Sequence, residues 1–332
     1  MACPIRSLSP TWEKCQSQNL AAELRLALSS SPGERDWREL LEMPLTSIRR
    51  ALAPTAAGDV PWHLLPLIVC DSICGDTAPA MPAAAAMQFM LAAGDMLDDV
   101  EDADSADSLA AKYGPALAVN AASALIILAE GAINQASAVS VAHIAAEACH
   151  IFNTYYARAC YGQHLELSTP PGGSVTEEEY LKMISLKSAS QIECACHLGA
   201  LLGGAGETLI EDYRAFGNNL GMAAQLANDA LGIASGKDIT RRKITLPVIF
   251  ALKHSAAEIR TGLEAVYLGR SREEVDTEQV RAWLAQCGGI YYAAVQQELF
   301  TKKARETLAG IAARGISTDR FGIFFESEIG PA

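Results

Sequence analysis

Met81-Pro82-Ala83-Ala84-Ala85-Ala86-Met87-Gln88-Phe89-Met90-Leu91-Ala92-Ala93-Gly94-Asp95-Met96-Leu97-Asp98-Asp99-Val100-Glu101-Asp102 is a long apolar run that ends in acid. Alanine, leucine and methionine favour helix, and the run is too long for a buried strand, so the reading is a helix over 80–102. On that helix Asp98 and Asp102 share a face one turn apart, with Asp99 about 100° round the barrel. Carboxylates this close repel one another unless a cation sits among them. Oxygen ligands without a nearby His or Cys favour Mg²⁺, which takes one or two carboxylates and fills its shell with water and phosphate oxygens. The chemistry implied is a diphosphate held through metal. The plainer alternative is a solvated acidic helix end, since Asp104 and Asp107 follow.

The rest of the chain agrees with an all-α reading. Ala- and Leu-rich segments punctuated by Gly and Pro recur, and strand patterns are nearly absent. Helices are expected at 36–53, 61–75, 115–136 and 138–167, then from Thr176 to about Leu202. Thr176 and Glu179 have capping-box spacing there. Further helices follow at 207–235, 241–253, 256–267, 276–286 and 290–313. Residues 1–35 read as a loosely ordered N-terminal extension. No repeat or charged linker divides 36–328, which reads as one domain.

Of 332 residues half are apolar, enough for a large core. The net charge of −13 argues against nucleic acid or an anionic membrane as partner, so an anionic substrate must be met by metal or by a local basic cluster. Nine cysteines without zinc-site spacing suggest reduced thiols in a cytoplasmic protein. No signal peptide is apparent behind Met1, and the apolar run 116–129 is too short and punctuated to span a bilayer.

Five motifs in order then resemble the trans-isoprenyl diphosphate synthase superfamily over roughly 40–310. Asp98, Asp99 and Asp102 match its first aspartate-rich motif, and Gly162-Gln163 with Glu166 its Gly-Gln pair and acid. Tyr180 to Ser190 resembles the stretch that carries the diphosphate-binding lysine, here Lys187. The run from Gly217 to Asp229 is placed like the second aspartate-rich helix, and Gly236 to Pro247 like the basic loop after it. The resemblance implies an isoprenoid-synthase helical bundle around a central apolar cavity, with metal-bound diphosphate at its mouth. It assigns Asp98, Asp99, Asp102, Asn228 and Asp229 to Mg²⁺, on the order of two or three ions. Lys187, Lys237, Arg241, Arg242, Lys243 and Gln163 are assigned to the diphosphate. Phe89, Met90, Ala93, Gly94, Met222 and Gln225 would wall the prenyl pocket. The small Ala93 and Gly94 imply a substrate as long as farnesyl diphosphate or longer.

The departures are as informative. Chain-elongating members hold isopentenyl diphosphate with a Gly-Lys-Arg pattern, but this stretch reads Pro61-Trp62-His63-Leu64-Leu65-Pro66, with His63 the only basic remnant. The Arg pair after the first motif is also missing from Asp104 to Lys112. Each charge-assisted contact is worth about 1.5–3 kcal/mol, so losing several weakens that site roughly a thousandfold. The second metal motif reads Asn228, Asp229 and Gly232, without its third carboxylate. Asp238 is available from the loop, although nothing in the spacing requires it.

The expectation is therefore a Mg²⁺-dependent terpene synthase that ionises farnesyl or geranylgeranyl diphosphate and cyclises or rearranges the cation. Trp62, Phe89, Tyr155 and Tyr156 are candidates to stabilise that cation. The alternatives are a prenyltransferase acting on an indole or peptide acceptor, and a chain-elongating prenyl diphosphate synthase. A non-catalytic subunit of a prenyl synthase is disfavoured by the intact Asp98, Asp99 and Lys187. Glu147 with His150 has the spacing of a di-iron site but lacks the second motif such sites need. The resemblance also implies a homodimer.

Overall fold

A computed structural model describes residues 10–46, 60–102, 108–169, 173–269 and 275–325, and these are all-α with no strand among them. In chain order the helices begin with α1 (Pro10–Ser30), α2 (Arg35–Glu42), α3 (Leu65–Cys74) and α4 (Met81–Asp102). They continue with α5 (Leu109–Tyr113), α6 (Pro115–Asn134), α7 (Ala136–Val139) and α8 (Ala142–Leu167). Then come α9 (Glu177–Ile184), α10 (Ser190–Leu202), α11 (Glu207–Ala234) and α12 (Lys237–Thr240). The last four are α13 (Leu246–His254), α14 (Ala257–Tyr267), α15 (Thr277–Gln286) and α16 (Gly289–Ala312).

The chain forms two compact units, and the first comprises 1–153, 195–213 and 309–332. Its centre is α4, which packs against α1, α3 and α6. Ala83 to Ala86, Phe89, Ala92, Ala93 and Met96 are its buried face, and the alanines let neighbouring helices approach closely. The N-terminal segment is more ordered than its sequence suggests. Leu20, Leu24 and Leu28 recur every four residues and are buried, so α1 is docked rather than loose. Its narrow apolar stripe is diluted by Glu13, Lys14, Glu23 and Arg25, which hides the period. The expected helix at 36–53 stops at Glu42 and passes into a 3₁₀ turn over Met43–Thr46. Residues 47–53 lie outside the described part.

The second unit comprises 154–194 and 214–308. Ile233, Ile239, Val248, Leu263, Val280 and Leu284 build one part of its core, and Tyr180, Ile184, Met222, Leu226 and Leu246 another. The capping box expected at Thr176 is present, with Glu179 N–H donating to the Thr176 hydroxyl and the Glu179 carboxylate accepting from Thr176 N–H. The helix it opens is not uniform to Leu202. Ser185–Ala189 winds as π-helix between α9 and α10, an irregularity that is frequent at functional sites.

The helix expected at 241–253 starts only at Leu246, because the turn before it closes α12. Lys243 N–H donates to Asp238 C=O and Arg242 N–H to Ile239 C=O, the paired bonds of a Schellman cap. That cap needs a left-handed residue, and here it is Arg242 with φ of 55°.

Candidate diphosphate-binding site

Lys187 lies in the π segment, and two glycines fix where that segment runs. A Cβ on Gly162 of α8 would stand 2.3 Å from the Lys187 nitrogen, and one on Gly221 of α11 would stand 2.7 Å from Ala189 Cα. Only glycine lets both helices close to this distance. The Lys187 ammonium then donates to Glu166 Oε2 at 2.6 Å.

Lys243, delivered by the Schellman turn, joins the same group. Its Nζ is 3.6 Å from Glu166 Oε1 and 3.5 Å from Asp229 Oδ1. Asp229 is buried, and it also accepts from Gln225 Nε2 at 2.8 Å and from the Tyr180 hydroxyl. Burial pushes the Tyr180 hydroxyl pKa up, and the Asp229 charge adds to the rise. Burial also pushes the Glu166 carboxyl up, but Lys243 and Lys187 outweigh it and hold that group below the usual carboxylate range. Lys243 is raised although burial opposes this, because Asp229, Glu166 and Asp238 all favour its charge. The point between these carboxylates is therefore one where positive charge is stabilised.

A cavity of about 670 Å³ opens beside this group, lined among others by Glu166, Tyr180, Arg241, Arg242, Lys243 and Tyr267. Three of those six are cations, as an anionic ligand requires. Among the described residues no three His, Cys, Asp or Glu side chains converge as a ready-made metal cage. Mg²⁺ does not need one, because it is held by one or two carboxylates together with substrate phosphates. The oxygen donors around Lys243, a place already favourable to a cation, fit that ion.

Of the residues singled out in the sequence, Lys187, Gln225, Asp229 and Lys243 are brought together, and Gln163 is half-buried one turn before Glu166 on α8. Lys237, Arg241 and Asn228 are exposed. Gln225 is engaged with Asp229 rather than serving only as a pocket wall. Tyr155 is not an open aromatic face. Its hydroxyl donates to buried Glu193 at 2.7 Å, and the Arg158 guanidinium lies 5.0 Å from its ring centroid. Tyr180 and Tyr267 were not expected at the site. Tyr180 sits in the Lys187 motif, whereas nothing distinguishes Tyr267 in the sequence from an ordinary core tyrosine.

In the first unit Asp98 and Asp99 are half-buried near the end of α4, and Asp102 is its last residue. Phe89 and Ala93 are buried, Met90 is half-buried, and Gly94 is exposed with no atom within 4 Å of where its Cβ would be. His63 is buried, and its Nε2 lies 3.0 Å from the Ser17 hydroxyl. Burial lowers its pKa to about 4, so at neutral pH this last basic remnant carries no charge. Trp62 packs against Phe324, with ring centroids 5.2 Å apart. The acidic residues Asp104 and Asp107 lie outside the described part.

The helical architecture, the basic cavity and the acidic end of α4 define the class. The polyprenyl synthetase family model matches residues 64–284, and the chain belongs to that family. Among relatives, the short chain isoprenyl diphosphate synthase of Methanothermobacter thermautotrophicus is 28% identical over 76% of this chain and 81% of its own length. Geranylgeranyl pyrophosphate synthase 3, chloroplastic, of Arabidopsis thaliana is 30% identical over 80% of this chain and 81% of its own length. Among solved structures, a geranylgeranyl pyrophosphate synthetase from Pyrococcus horikoshii shares the fold with a TM-score of 0.80, at 22% identity over 95% of each chain.

Proposed function

We propose that this chain binds an allylic prenyl diphosphate, promotes departure of the diphosphate, and transfers the prenyl group to isopentenyl diphosphate. The observation that carries diphosphate binding is the convergence of Lys187 and Lys243 on Glu166 and Asp229 beside the cavity that Arg241 and Arg242 line. The relatives are isoprenyl and geranylgeranyl diphosphate synthases, which supports transfer and moves the reading from the terpene synthase expected from sequence to the chain-elongating alternative. Mg²⁺, when bound, would neutralise charge on the leaving group. In this reading Asp98, Asp99 and Asp102 of α4 would hold metal, as would Asn228 and Asp229 of α11. Lys187 and Lys243 turn from Glu166 and Asp229 to the diphosphate oxygens. Phe89, Ala93 and Gly94 belong to the prenyl-binding surface.

A terpene synthase is the second reading, and one observation favours it. The stretch from Pro61 to Pro66 presents a buried, neutral His63 in place of the cations that would hold isopentenyl diphosphate. Purified protein with Mg²⁺ and farnesyl or geranylgeranyl diphosphate, with and without isopentenyl diphosphate, separates the two. Longer prenyl diphosphates formed only when isopentenyl diphosphate is present support elongation. Hydrocarbon or alcohol released from the allylic substrate alone supports the second reading.

The proposal extends to a cytoplasmic homodimer. The nine scattered cysteines without zinc-site spacing support the compartment, and the described ones are free thiols, with the Cys70 and Cys74 sulfurs 3.8 Å apart. Along α6, Val119, Ser123 and Ile127 form an exposed stripe without charge, suited to a second copy. Sedimentation of the purified protein at twice the monomer mass is the expected result.

A further inference from the structure

Asp229 is buried, and its carboxylate oxygens are met in different ways. Oδ1 accepts from Gln225 Nε2 at 2.8 Å and lies 3.5 Å from the Lys243 ammonium. Oδ2 accepts from the Tyr180 hydroxyl. That hydroxyl in turn accepts from Leu246 N–H, the first amide of α13 and one of those a helix cannot pair within itself. The Tyr180 oxygen therefore faces a donor on one side and spends its proton on Asp229, joining α9, α11 and α13 at a single atom.

Tyr180 is itself fixed before any ligand arrives. It stands in the first turn of α9, where its N–H donates to Thr176 C=O at 3.0 Å and the Thr176–Glu179 capping box sets the start of the helix. Its ring is 1% exposed and belongs to the core built with Ile184, Met222 and Leu246.

Lys243 is held less tightly than Lys187. Its ammonium stands 3.5 Å from Asp229 and 3.6 Å from Glu166, beyond the about 2.7–2.9 Å of a charge-assisted hydrogen bond, whereas Lys187 reaches Glu166 at 2.6 Å. A buried carboxylate oxygen without a donor is costly. Deprived of the Tyr180 proton, Oδ2 would draw in Lys243, which already lies beside Oδ1 and can donate in several directions.

We propose that Tyr180 is a positioning residue: by satisfying Asp229 Oδ2 it keeps Lys243 from closing onto that carboxylate, and so leaves the ammonium available to a diphosphate in the cavity that Tyr180 and Lys243 both line. This rests on the diphosphate reading above.

The probe is inorganic pyrophosphate in the presence of Mg²⁺, titrated by calorimetry, with a urea unfolding midpoint recorded for each variant. Tyr180→Phe removes one oxygen, keeps the ring, and is expected to weaken pyrophosphate binding about tenfold. In a Lys243→Met background no ammonium remains to be captured, and the same change is expected to cost less than about twofold. Tyr292→Phe is the control. It deletes another hydroxyl that donates to the first turn of α9, at 2.6 Å to Glu177, and is expected to leave pyrophosphate affinity unchanged.

Native affinity in Tyr180→Phe, an equal loss with and without Lys243, or the same loss in Tyr292→Phe overturns the assignment and leaves the diphosphate reading standing. A Tyr180→Phe protein already unfolded without urea overturns it too, since the hydroxyl would then be a requirement of the fold. If the unaltered protein binds no pyrophosphate, the diphosphate reading falls, and the role of Tyr180 falls with it.

Discussion

Gly162 faces the backbone of Lys187 so closely that the smallest side chain would stand 2.3 Å from the Lys187 nitrogen. Glycine is normally a weak residue in a helix, and replacing it with alanine there usually gains about 0.5–1 kcal/mol. The sign reverses when the new methyl meets another backbone. Gly162→Ala is expected to lose about 1–3 kcal/mol of stability, read as a lower unfolding midpoint, and to weaken pyrophosphate binding as the π segment shifts. An unchanged midpoint would show that the two helices are farther apart.

Lys187 offers its charge to Glu166 in the absence of substrate and, in the proposed reading, to the diphosphate in its presence. A charge-assisted bond of this kind contributes about 1.5–3 kcal/mol. Lys187→Ala should therefore weaken binding of an allylic diphosphate roughly tenfold to hundredfold, seen as a raised KM or a raised Kd for a non-hydrolysable analogue. Lys243 remains near Glu166, so binding is reduced rather than abolished.

Glu166 links charge to acid stability. Its folded-state pKa is depressed, because Lys243 and Lys187 outweigh the upward push of burial. Such a group adds stability that is fully present above its unfolded value of about 4.3 and is lost as pH falls through the lower folded value. Glu166→Gln should flatten the acid side of the stability curve below about pH 4.3, measured by urea unfolding across a pH series. At neutral pH it removes the ion pair to Lys187, leaves Lys243 with Asp229, and should tighten pyrophosphate binding in the absence of metal.

Arg242 holds a left-handed conformation that suits glycine better. Arg242→Gly should raise the unfolding free energy by about 0.5–1 kcal/mol while weakening anion binding in the cavity it lines. Stability and binding moving in opposite directions would mark the arginine as kept for its charge. A variant that binds pyrophosphate as tightly as the native protein would remove Arg242 from the site.

Asp98 is half-buried at the end of α4, where a shorter side chain leaves the core of that helix untouched. Asp98→Ala should lower metal-dependent turnover by about a hundredfold or more and move the unfolding midpoint little. A large loss of stability with turnover preserved would make Asp98 a structural residue.

The all-α fold was legible because α4, α6, α8 and α11 are long and rich in helix formers, with Gly or Pro near at least one end of each. The acids of α4 and Lys187 were legible because short-range motifs carry them. α1 was missed because only Leu20, Leu24 and Leu28 anchor a segment that otherwise reads as polar. The late start of α13 was missed because a left-handed arginine is not a signal that composition carries.

The sequence by itself determined helical periodicity, the acidic end of α4 and the order of charged motifs, since these depend on neighbours within a turn or two. Only the tertiary structure decided that Glu166 lies between Lys187 and Lys243, that Tyr180 takes up Asp229, and that Asp238 fills the space at Gly232. Those partners come from different helices. Their pairing depends on how closely the backbones pack, which Gly162, Gly221 and Gly232 permit and which residue spacing along one chain does not encode.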